Sequence, residues 1–183
     1  MKVIYDCDNT MGINYRDIDD GLTLLYLYKN PHVDLLGVSL TFGNDILEKV
    51  IESTKVLVSK FNIDIPVYFG NKNEESFLEN SAAKFLVEET KKHPNEITIL
   101  ATESLKNIAD AYLLDNKVFE RIKNIVIGAM NAKAGCAGSI LDLMHIQRFN
   151  HQVDTLLLDG EIHEECVELH KDFFRELRQK KLT

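Results

Sequence analysis

Short apolar or β-branched runs alternate with longer helical patterns from the first residues to about position 127, and this alternation constrains the chain more than any other feature. Residues 2–5 are a β-prone run ending in acidic residues, and residues 18–28 carry Leu22, Leu24, Leu25 and Leu27, the pattern of a helix buried over much of its surface. Residues 33–41 are β-branched and apolar. Residues 44–61 then place Ile46, Val50, Ile51, Thr54, Leu57 and Val58 at helical spacing. The same reading predicts strands over 65–69, 97–101 and 125–127, with helices over 79–92 and 105–113. Strands alternating with helices predict an α/β fold, a mostly parallel open sheet with helices on both faces. Ligands of such sheets gather beyond the carboxyl ends of the strands.

Past Met130 the pattern weakens. Residues 131–139 are small, residues 140–158 read as helix or irregular structure, and residues 161–181 read as a polar terminal helix striped by Cys166, Leu169, Phe173 and Leu177. With no internal repeat or low-complexity linker, a single domain over residues 1–183 is the economical expectation.

The chain is 45% hydrophobic and 27% charged, which excludes disorder as the default. Its formal charge of −8 argues against nucleic acid and anionic membrane as partners, because both need a basic face. The N-terminus reaches Asp6 too soon for a signal-peptide apolar region, and no window has the length of a membrane span, so the expected location is cytoplasmic. Cys7, Cys136 and Cys166 are odd in number and widely spaced, which favours reduced thiols over a disulfide framework or structural zinc.

The segment DCDNT at residues 6–10, followed by DIDD at residues 17–20, puts five carboxylates at a strand end and the next helix start: Asp6, Asp8, Asp17, Asp19 and Asp20. They repel one another unless something positive is shared, and hard oxygen ligands suit calcium or, alternatively, magnesium. Helix capping by Asp17 or Asp19 is the bland explanation, and it accounts for one or two of the five.

DCDNT and DIDDGLTLLYL, then LLGVSLTFGN, then ILATESLKNIADAYLLDNKVFERIKNIVI, resemble the nucleoside hydrolase family over residues 2–127, about two thirds of the chain. The resemblance implies hydrolysis of the N-glycosidic bond of purine or pyrimidine ribonucleosides to ribose and free base, through an oxocarbenium-like ribose that nearby carboxylates stabilise. By position, Asp6 would bind calcium and act as general base toward a metal-bound water. Asp20 would bind calcium, Asp19 would grip ribose hydroxyls, and Asn44 of the FGN segment would lie near substrate and water. The backbone carbonyl that completes the calcium shell would fall at Asn131. Members usually form homodimers or homotetramers, so a homo-oligomer is implied as well.

The chain also departs from that pattern. Glu103 stands where the family has glycine, Gly128-Ala129-Met130 stands for its MGG turn, and Met144 and His145 fall where a glutamate and an asparagine hold the ribose 5′ side. Family chains continue further and there supply another calcium-ligating aspartate and a histidine that assists the leaving base. The expectation is feeble turnover or none.

Other readings compete. VIYDCDNTM matches the strand and DxDxT of haloacid dehalogenase-like phosphatases, with Asp6 as nucleophile, Asp8 as general acid and magnesium as cofactor. The later acidic pair and lysine of that family are not evident, and Asp19, Asp20 and the Phe42-Gly43-Asn44 segment are explained only by the hydrolase reading. A non-enzymatic, shortened protein that binds cation or nucleoside is the other alternative. His163, Cys166 and His170 share one helical face but are three ligands where structural zinc takes four. His32 and His93 lie beside prolines in loops, and His145 and His151 receive no role.

Overall fold

The computed structural model describes residues 1–73, 80–127 and 155–157. Its six strands are β1 (Lys2–Cys7), β2 (Asp34–Leu40), β3 (Val67–Phe69), β4 (Ile97–Ala101), β5 (Ile122–Ile127) and β6 (Thr155–Leu157). They form one sheet in the order β3-β2-β1-β4-β5-β6, and every pairing is parallel. The α/β fold expected from the alternation is therefore present. The chain builds outward from β1 in one direction through β2 and β3, then returns to the other side of β1 for β4, β5 and β6. Such a reversal leaves a crevice at the carboxyl ends of the two central strands, here β1 and β4.

Helices α1 (Asp19–Lys29) and α2 (Leu47–Lys60) cover one face. Leu24, Leu27, Leu47, Val50 and Leu57 pack there against Tyr5, Cys7, Val38 and Leu40. Helices α3 (Ser81–Lys92) and α4 (Lys106–Leu114), with a 3₁₀ turn at Val118–Glu120, cover the other, where Phe85, Leu86, Ile108 and Val118 meet Ile4, Ile99 and Ile125. β1 has layers on both sides, and this is why its sequence is a continuous buried run rather than an alternating one. Its pleat sends Ile4 toward α3 and α4, and Tyr5 and Cys7 toward α1 and α2.

The structure differs from the expectation at several elements. Helix α1 is amphipathic rather than largely buried: Leu24 and Leu27 face the sheet while Leu22 is 50% exposed, because one helix face meets the sheet and the other does not. β3 starts after Pro66, two residues later than predicted, since proline lacks the N–H that a ladder needs. β5 begins at Ile122, where Ile97 pairs with it. Residues 155–157, read as helix or irregular, form a strand that extends the sheet beside β5. Asn131, Met144, His145, His151, His163, His170, Cys136, Cys166 and the 161–181 helix lie outside the described residues. Among the described residues no helix is long and apolar enough to cross a membrane.

Candidate active site

The acidic cluster sits at the carboxyl end of β1, where the strand order reverses. Asp6 pairs in register with Ser39 of β2 and Ala101 of β4, so its backbone is clamped from both sides. Alternation along β1 puts its side chain on the face of Ile4, toward α4. There Oδ1 accepts from Ser39 Oγ at 2.8 Å and from Asn107 Nδ2 at 2.8 Å. Oδ2 is buried with no hydrogen-bond partner. An unpaired buried oxygen on an acid is costly and asks for a proton, a cation or a substrate group.

Asp20, in the first turn of α1, is 4% exposed and pulled against the sheet. Its Oδ1 accepts from the Tyr5 hydroxyl at 2.6 Å and from Thr102 Oγ1 at 2.8 Å, and its Oδ2 accepts from the Asp8 backbone N–H at 3.1 Å. Asp8 is fully buried and takes the backbone N–H and the side-chain amide of Asn44. A side chain at Gly43 would strike Asp8 Oδ2, so the FGN turn can approach this closely only with glycine there.

Asp17 does not cap α1. The residue at the cap position is Ile18, which offers no side-chain bond; Asp17 instead accepts from Thr10 Oγ1 at 3.0 Å and from Asn44 Nδ2 at 2.6 Å. Asn44 is thus an internal strut between Asp8 and Asp17. Asp19 is exposed at the start of α1. Hydrogen bonds therefore join Asp8, Asp17, Asp20 and Asn44, while the Asp6 side chain is held separately by Ser39 and Asn107 and senses the Asp20 charge. Asn131 falls outside the described residues.

The acids strain against one another. Burial pushes the Asp6 carboxyl up to about 7, against the pull of the Asn107 and Ser39 bonds, and the Asp20 charge adds to the rise. Asp8 is driven well above the carboxylate range by burial and then by the charge of Glu103. Solvent reaches Glu103, yet loss of hydration and the charges of Asp20, Asp17 and Asp19 raise it to about 7. Partial loss of hydration, then the charges of Asp17 and Asp20, raise the exposed Asp19.

An all-oxygen donor set with one orphaned carboxylate oxygen fits a hard cation in chemistry. Among the described residues, however, no three His, Cys, Asp or Glu side chains form a group that could hold a metal ion. A cation here would draw on Asp6 and Asp20 together with backbone oxygens and water, as calcium readily does.

Sequence reasoning missed the polar shell behind Asp6. Asn107 opens α4, Asn80 caps α3, and Asp110 and Asn71 lie beside them, all buried. Asparagines near helix starts read as ordinary caps. The one available signal was Asp110 four residues after Lys106 on a mostly apolar helix, an ion pair that is nearly enclosed.

Comparison with known proteins identifies the family. A model described as inosine-uridine preferring nucleoside hydrolase matches residues 3–155. The pyrimidine-specific ribonucleoside hydrolase RihB of Escherichia coli (strain SE11) is 25% identical over 152 residues, covering 69% of this chain and 46% of that protein. A tRNA-specific adenosine deaminase of Bacillus subtilis (strain 168) is 42% identical over 64 residues, covering 35% of this chain and 38% of the deaminase. The solved purine-preferring ribonucleoside hydrolase from Gardnerella vaginalis superposes with a TM-score of 0.61 at 20% identity, over 72% of this chain and 49% of that one. The chain spans less than half the length of these curated relatives. With the family match covering most of its residues, the chain belongs to the inosine-uridine preferring nucleoside hydrolase family.

Proposed function

We propose that this site binds a ribonucleoside and hydrolyses its N-glycosidic bond to ribose and free base. The observation that carries the reading is Asp6: a buried acid at the strand-order reversal, with one oxygen fixed by Ser39 and Asn107 and the other unpartnered. Without a cation, burial raises this carboxyl to about 7; in this reading Asp6 is the general base that takes the proton of an attacking water. Asp19, exposed at the start of α1, takes the ribose hydroxyls in this reading. Asn44 holds Asp8 and Asp17 through its amide, in the turn that follows β2. Nearby carboxylates favour the positive charge that develops on the ribose.

The cofactor in this reading is Ca²⁺, with Mg²⁺ the alternative, held by Asp6, Asp20 and the backbone of Asn131. When bound, such a cation lowers the pKa of water at the site. The family match favours this reading of DCDNT over the phosphatase one. The test incubates the purified chain with inosine, uridine and a nitrophenyl riboside plus calcium, and follows ribose release beside Asp6→Asn. Slow release that Asp6→Asn abolishes supports the reading and fits the feeble turnover expected from the sequence; no release above that variant overturns it.

A second reading rests on the 64-residue likeness to a protein named as a tRNA-specific adenosine deaminase. Formation of inosine from adenosine or from tRNA tests it. The net charge of −8 weighs against tRNA as the substrate.

A further inference from the structure

Behind Asp6 runs a chain of buried amides whose orientations fix one another. Asn107 has no exposed surface, and its side-chain amide has two N–H donors, both used: one to Asp6 Oδ1 at 2.8 Å and one to the Leu40 carbonyl at 3.1 Å. Its oxygen accepts from Asn80 Nδ2 at 3.2 Å. Asn80 Nδ2 also donates to Asp110 Oδ2 at 2.7 Å, while Asn80 Oδ1 caps α3 by accepting from the Ala83 N–H at 2.9 Å. Asp110 is held in turn by Asn71 Nδ2 at 2.8 Å and by Lys106. A side chain at Gly70 would strike Asn107 Oδ1, so the chain passes close by with room made for it.

Only one orientation of each amide satisfies this set. Turned over, Asn107 would present its oxygen to the Asp6 carboxyl and to the Leu40 carbonyl, acceptor against acceptor, in a buried site. The cap at Ala83 fixes which way Asn80 faces, Asn80 fixes Asn107, and Asn107 fixes Asp6 Oδ1. What is left free is Oδ2.

We infer that Asn80 and Asp110 are positioning residues for Asp6, acting through Asn107, so that the N-cap of α3 aims the acid of the active site. This rests on the proposed hydrolase reading for its catalytic consequence, though not for the geometry. Asn80→Ser is the informative change, since a serine oxygen still caps α3 but the N–H₂ that faces Asn107 and Asp110 is gone. Asp110→Asn removes the charge that Asn80 and Asn71 share.

The test uses the full chain and two readouts. In inosine hydrolysis with calcium, Asn80→Ser is expected to lower kcat about 10- to 100-fold while KM stays within about twofold, the mark of a misaimed group. By NMR, the Asn107 side-chain amide protons are expected to exchange slowly in the parent chain and at least tenfold faster in both variants. If those protons exchange equally in parent and variants, or if kcat falls only in proportion to the folded fraction, the inference is overturned. A parent chain without turnover overturns the hydrolase reading instead, and the exchange measurement alone then decides whether Asn80 holds Asn107.

Discussion

The Tyr5 hydroxyl donates to Oδ1 of Asp20 at 2.6 Å, deep in the protein, and Thr102 donates to the same oxygen. Two neutral donors on the sheet thus carry an acid from α1 against the strand ends. Tyr5→Phe removes one donor and leaves the ring in place. A hydrogen bond to a charged group is worth about 1.5 to 3 kcal/mol, so urea unfolding of the variant should show a loss of that order. An unchanged midpoint would mean that Thr102 and the Asp8 amide suffice.

Calcium should raise the thermal midpoint by binding the native state, with about 2.7 kcal/mol of stabilisation at a hundredfold excess over its dissociation constant. Asp20→Asn should shrink that shift more than Asp19→Asn, because Asp20 is buried in the cluster and Asp19 is exposed at its rim. Scans with calcium, magnesium and chelator measure it. Identical midpoints in all three would remove the cation from the reading.

In chelator, stability should rise as pH falls from 8 toward 5. Asp6 has an ordinary value of 3.8 and Glu103 of 4.5; loss of hydration together with neighbouring negative charge raises both to about 7 in the folded chain. Between those values the native state holds protons that the unfolded state has lost, so their contribution is full below about pH 4 and is lost as pH climbs through 7. Calcium should oppose that loss, making its effect on the midpoint larger at pH 8 than at pH 5. Thermal scans across this range check both signs; a midpoint that increases steadily from pH 5 to 8 in chelator would contradict them.

Much of this was legible because local pattern and local chemistry coincide. The β1 run is apolar on both faces because both faces are covered, and Asp8, Asp17 and Asp20 are near neighbours in sequence as well as in space. Other features were set by partners far along the chain. The strand order depends on which edges meet, β6 is three residues that become a strand only beside β5, and Asn80 and Asn107 matter only because α3 and α4 pack together over β1. Leu22 looked like core because composition does not tell which side of α1 meets the sheet.

Gly43→Ala should damage the site while sparing the fold. The added carbon would collide with Asp8 Oδ2 and push the FGN turn from Asp8, yet Gly43 itself is exposed. A stability change under about 1 kcal/mol by urea is expected. Calcium affinity by calorimetry should fall several-fold at the same time. Unchanged affinity would show that the Asp8–Asn44 contact is not needed to shape the cation site.

The bonds that hold Asp6 and Asp20 reach across the sequence: Ser39 lies 33 residues from Asp6, Thr102 lies 82 from Asp20, and Asn107 lies 101 from Asp6. Contacts of such separation require the intervening loops to close, so the acid site depends on the whole sheet and not on the local run of acids alone. An excised peptide bearing DCDNT and DIDD would carry the same charges without their raised proton affinities. Anomalous titration at Asp6 is thus a gauge of whether β1, β2 and β4 have found their register.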